Sequence, residues 1–369
     1  MKRLWLILWL TPLLFSLCFI PVRAEEAVTE DILETVLEQA ESVNHPDFSL
    51  TDTARKLISG NGDFSFSAIS EKVGEMLWGE LKENISLLVE ILVLSVLAGV
   101  LCNLQIDRPG DGISQISFLA CFSVIAGLSV TVIATLSELA QKTIDNLMLF
   151  ISSLMPVLSS LVMATKISAF SGFYPALFFA MQSFTAICQQ VFLPLIMMIT
   201  ALSVVNAMSN RFHITRLIET ARQLIQWGLG LLLTVFVGIL GLRGFSVFAA
   251  GSVAGRTVKY ALCNFVPLVG SVLAESAEAV ISSIRLIRGA IGLSGAVGLI
   301  VLCAAPLLKI LTVSVLYRFA AGVAEPATEK RIVRLLMDLA GNITLIFVIV
   351  LMVTVMFIIS IALLCGLCR

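Results

Sequence analysis

From Ile85 to the C-terminus the apolar positions do not mark one face of a helix; they fill whole runs and leave polar residues at the joints. A bilayer's hydrocarbon core is about 30 Å thick and takes roughly 20 apolar residues per helical span. The first run, Ile85 to Leu104, closes on Asp107-Arg108-Pro109-Gly110-Asp111-Gly112. Further runs follow over Ile113–Leu136, Ile144–Thr165, Leu224–Leu242, Ala290–Leu308 and Ile343–Gly366. The 36 residues from Phe173 to Met208 suffice for two spans, with Gln189 and Gln190 as a polar hairpin between them. The pattern predicts an all-α polytopic integral membrane protein with about seven to eight transmembrane helices.

The chain begins differently. Lys2 and Arg3 precede an apolar run from Leu4 to Ile20, and Val22 and Ala24 take the small-residue positions before Glu25. That layout predicts a signal peptide over 1–24, with an uncleaved first membrane helix as the alternative. Residues 25–83 carry 14 acidic against 4 basic residues. Within them Val28, Ile32 and Val36, then Ile69, Val73 and Leu77, recur at helical spacing with Glu30, Glu34, Glu38 and Glu41 opposite the first set. The segment reads as a small acidic, amphipathic helical region outside the cytoplasmic membrane; residues 84–369 form the transmembrane domain.

Composition narrows the function classes. The chain is 58% hydrophobic and 13% charged, about half the charge of a soluble domain. A net charge of -1 gives no footing for nucleic acid. The two histidines, His45 and His213, fall on opposite sides of the expected topology, so neither a histidine triad nor a multi-histidine metal site can be assembled. No phosphate-binding loop, dinucleotide fingerprint, nucleophile elbow or metalloprotease helix occurs. The sequence therefore predicts no catalytic, cofactor-binding or metal residues, and favours a transport, channel or scaffold role. Most cysteines stand singly in apolar stretches; Cys365 and Cys368 form a CxxC without the βαβ context or further ligands that redox or zinc chemistry needs.

Some residues stand out against the apolar background. Glu90 lies inside the first span, where a carboxylate is costly and marks a functional candidate, or snorkels to the nearby outer surface. Pro156, Pro194, Pro267 and Pro306 fall in or beside apolar runs, where each frees a backbone carbonyl. Gly238, Gly241 and Gly244, and later Gly292, Gly295 and Gly298, repeat every three residues and predict close helix contact, within the chain or between copies. Arg211 to Gln226 alternates arginine with apolar residues, as an interfacial helix does.

With 25–83 outside, the positive-inside rule puts Arg108, Lys166, Arg211, Arg216, Arg222, Lys309, Arg318, Lys330, Arg331 and Arg334 on the cytoplasmic side. Arg243, Arg256, Lys259, Arg285 and Arg288 conflict with it, so Tyr260–Ile287 is expected to lie along the interface or to dip in as a re-entrant element.

The ordered marks Met155-Pro156 in FISSLMPVLSSLVMAT (150–165) and Arg256, Lys259, Asn264, Pro267 and Gly270 in RTVKYALCNFVPLVG (256–270), together with LPLIMMITALSVVNAMS (193–209), resemble the stage III sporulation protein AE family of endospore-forming bacteria. The likeness covers roughly 85–369. It implies a multi-pass protein of the mother-cell membrane around the forespore, in a secretion-like channel complex with the other stage III sporulation A-operon membrane proteins. That complex meets the forespore's stage II sporulation protein Q, so the contact with this chain is indirect. The resemblance carries no catalytic residues. A stand-alone secondary transporter of a small solute, or a non-conducting membrane anchor for ring subunits, are the competing readings.

Overall fold

The computed structural model describes residues 112–164, 173–208, 214–265 and 270–366 apart from 327, together with part of 79–100. The signal peptide 1–24 lies outside them, as does the acidic segment 25–83 apart from Gly79 and Lys82. Among the described residues every regular element is helical. We number them α1 (Gly112–Ala164), α2 (Phe173–Ile187), α3 (Leu193–Met208), α4 (Thr215–Phe265), α5 (Gly270–Ala324) and α6 (Lys330–Gly366). Among the described residues five stretches are long and apolar enough to cross a membrane: Leu119–Pro156, Pro175–Met208, Thr215–Leu240, Gly298–Ala324 and Lys330–Leu363.

Two joints expected from the sequence are absent from these helices. The joint expected between Leu136 and Ile144 is helical throughout, so two expected spans become the single 53-residue α1, about 80 Å long at 1.5 Å per residue. The hairpin expected at Gln189 and Gln190 is likewise no hairpin. A π turn, Cys188–Phe192, joins α2 to α3 without a break, the Leu193 N–H donating to the Cys188 carbonyl. Pro194 follows at once and has no N–H to return to Gln190, which accounts for a widened turn at this place. The first expected span, Ile85–Leu104, is described only in part, and Ser95 in it is buried and accepts a 2.9 Å hydrogen bond at its carbonyl from Thr328.

Helix α6 is the centre of the bundle. Its spanning stretch is 61% buried, against 28–39% for the other four, and Leu335, Leu339, Ile343, Ile346, Ile349, Val350, Val353 and Phe357 are essentially inaccessible. Helix α5 returns antiparallel beside it. At one end Ser314 Oγ donates to the Ala340 carbonyl; at the other, Gly295 lies against both Ile361 of α6 and Leu154 of α1. A Cβ at Gly298 would stand 2.7 Å from the Phe150 ring. The glycine repeat at 295 and 298 thus serves packing within the chain, whereas Gly238 meets nothing within 4 Å. On the far side the Phe184 and Phe236 rings meet edge to face at 5.4 Å and tie α2 to α4.

Helices α1 and α5 run through Pro156 and Pro306 respectively. The stretch Tyr260–Ile287 is helical on both sides of 266–269, which lie outside the described residues with Pro267. His45, His213 and Cys368 lie outside them too.

Candidate functional site: a polar spine through the helices

In hydrocarbon each polar side chain must find a partner inside the protein. Many of the hydroxyls do so locally: Thr200, Ser203, Thr354 and Ser360 each donate to the carbonyl four residues earlier. Others meet across helices, and the largest such meeting point is centred on Arg222.

Arg222 is on α4 and about a fifth exposed. Its Nη1 donates to Asp338 Oδ1 at 3.0 Å, its Nη2 to the Asp338 carbonyl at 2.8 Å, and its Nε to Asn342 Oδ1 at 3.0 Å. Asn342, fully buried, passes the chain on through its Nδ2 to Thr200 Oγ1 of α3 at 3.1 Å. Asp338 and Asn342 are four apart and so share one face of α6. Gly341 lies between them, with Arg222 Cζ 3.6 Å from where a Cβ would stand, an ordinary packing distance. A planar fork with several donors suits this site in a way an ammonium cannot. Arg222 is therefore neither a loop residue nor part of a separate interfacial helix, since α4 runs unbroken from Thr215.

The entry to α4 is fixed by the neighbouring corner. Asn206 of α3 accepts the Ile214 N–H at Oδ1, 2.9 Å, and donates from Nδ2 to Thr215 Oγ1 at 3.3 Å, satisfying a backbone donor that a helix start leaves free.

Three further contacts tie α5 to α6. Arg318 Nη2 and Ser314 Oγ both lie 2.8 Å from Thr344 Oγ1, and Cys303 Sγ lies 3.0 Å from Thr354 Oγ1. Beside them Tyr317 and Ser129 are fully buried. Their hydroxyls are neighbours across α5 and α1 without hydrogen-bond geometry. A last link sits at the π turn, where Gln189 Nε2 donates to Asp145 Oδ1 of α1 at 2.7 Å.

Among the described residues no three His, Cys, Asp or Glu side chains are grouped to hold a metal ion. Glu90, a candidate from the sequence, is exposed on its helical segment. The Arg222 centre goes beyond what the sequence predicts for Arg222, a cytoplasmic charge within an interfacial helix; its one signal in the chain is the Asp338/Asn342 pair four residues apart.

Long apolar helices joined by interhelical hydrogen bonds define an all-helical membrane protein. The family model for stage III sporulation protein AE matches residues 48–368, and the chain belongs to that family. It is 26% identical over 304 residues to stage III sporulation protein AE of Bacillus subtilis (strain 168), covering 81% of this chain and 76% of the relative. No solved structure matches it.

Proposed function

We propose that the chain is a membrane subunit of the sporulation channel complex that links mother cell and forespore, working in the mother-cell membrane around the forespore as part of the conduit. The match to a stage III sporulation family over residues 48–368 carries this reading. The bundle supports it: the charged pair inside it, Arg222 with Asp338, is occupied by its own hydrogen bonds, whereas a solute transporter calls for an open polar site between repeats. In this reading residues 25–83 meet partners between the two membranes, the other A-operon membrane proteins surround the bundle, and stage II sporulation protein Q is reached through them.

Deleting the gene in its own endospore-forming host tests this. The expected result is loss of heat-resistant spores together with late forespore transcription, restored by a second copy of the gene. Normal spores with normal late transcription would overturn the proposal.

A further inference from the structure

The outward faces of most spans are what lipid requires. On α4 Arg216, Glu219, Gln223 and Gln226 are exposed near the Arg222–Asp338 end, and beyond them Trp227, Leu231, Val235 and Val237 face outward; on α2 and α3 Phe179, Val191, Met198 and Val205 share the outside with the uncharged Gln182 and Gln190; on α5 Val315, Phe319 and Val323 do so with Arg318. Helix α1 differs. Thr131, Thr135, Glu138, Gln141, Lys142 and Asp145 are all exposed and recur at intervals of three or four, so they form one stripe along the helix. The two threonine hydroxyls are returned to helical carbonyls, which lipid tolerates. The charges are another matter: Glu138 and Lys142 pair with each other at 2.8 Å, yet their side chains stay 63% and 70% exposed.

Depth decides what this stripe faces. Gly295 touches both Leu154 of α1 and Ile361 of α6, which sets those two residues level. Near the other end Ser129 neighbours Tyr317, whose helix bonds Ala340 through Ser314, so α1 and α6 run in the same direction. Counting back from Leu154 at about 1.5 Å per residue, positions 138–145 lie beside roughly residues 345–352 of α6. Those residues belong to the chargeless run 343–363, itself about one bilayer long. The ion pair and its neighbouring amide thus sit at membrane depth, turned away from this chain's core, where contact with lipid tails is costly.

We infer that the α1 stripe from Thr131 to Asp145 lines a water-filled passage through the membrane. The inference deepens the conduit reading and rests on it: it names the wall along which hydrated cargo would move. Cargo compatible with such a wall is polar, because the stripe offers hydroxyls, an amide and both signs of charge.

Cysteine accessibility tests it in the full-length chain in native membrane vesicles, with the native cysteines changed to alanine, or kept and their labelling subtracted. Thr131→Cys and Gln141→Cys leave the Glu138–Lys142 pair intact; Leu231→Cys and Met198→Cys report the lipid faces. A membrane-impermeant maleimide is expected to label the stripe positions on the order of tenfold faster than the lipid-facing ones, since only a hydrated thiol ionises readily. Stripe positions as slow as Leu231→Cys would overturn the inference, and so would oxidant-driven cross-linking of the stripe between copies without labelling, the mark of a dry interface. Either failure in vesicles from cells whose sporulation is normal leaves the proposed role standing; a sporulation role that fails its own deletion test leaves the labelling result to be read on its own terms.

Discussion

Arg222 gathers more of the described polar contacts than any other side chain, and removing it does more than remove one charge. Arg222→Met abolishes three hydrogen bonds and leaves Asp338, about a fifth exposed, without its counter-charge. Breaking a buried pair from one side costs about 3 kcal/mol. Asp338→Asn keeps the Asp338 main-chain acceptor and the Asn342 contact, so it is expected to cost less, about 1–2 kcal/mol. Joining Arg222→Met with Asp338→Leu should recover most of the loss, because no charge is then stranded. Denaturation of the purified protein in mild detergent measures all three; equal effects of the two single changes would refute the assignment of three bonds to one guanidinium. The sequence could not show this centre. Arg222 and Asp338 are 116 positions apart, and a basic residue between apolar runs reads most simply as a loop charge under the positive-inside rule.

At the scale of helices, what could be read from sequence was helical character; helix ends were less legible. The expected runs Leu224–Leu242 and Ile343–Gly366 lie inside α4 and α6, which begin earlier, at Thr215 and Lys330, and the close approach expected at Gly295 and Gly298 is made against α1 and α6. The two failures share a cause: the stretch between Leu136 and Ile144, and Gln189 with Gln190, looked like joints because polar residues interrupted apolar ones. In the structure those polar residues are carried on unbroken helices, exposed along α1 or paired across it as Gln189 is with Asp145. One sequence cannot distinguish a polar turn from a polar face when both are one or two helical turns long. The α1–α5 contact yields a sharp test. Phe150 is 6% exposed and has little space to swing away, so Gly298→Val is expected to destabilise the bundle by about 1–3 kcal/mol, as overpacking does. Adding Phe150→Ala should relieve much of that loss in the same denaturation measurement, while Gly238→Val, in open space, should cost far less.

The whole molecule combines two features that separately would mean little. Its interior is tied by polar contacts that reach α3, α4 and α5 from α6, and the outward face of α1 carries an exposed ion pair at membrane depth. A protein that only anchored neighbours would have use for the first and not the second, which is why the conduit reading is preferred to the anchor. The sequence conveyed membrane residence and family; the polar face emerged only once α1 was one helix rather than two. The measurement that bears most directly on the account is purification of the tagged, full-length chain from sporulating cells in mild detergent, with mass spectrometry of what accompanies it. The other stage III sporulation A-operon membrane proteins are expected to be recovered with it. A partner-free protein that instead took up a small solute on reconstitution would contradict the conduit reading.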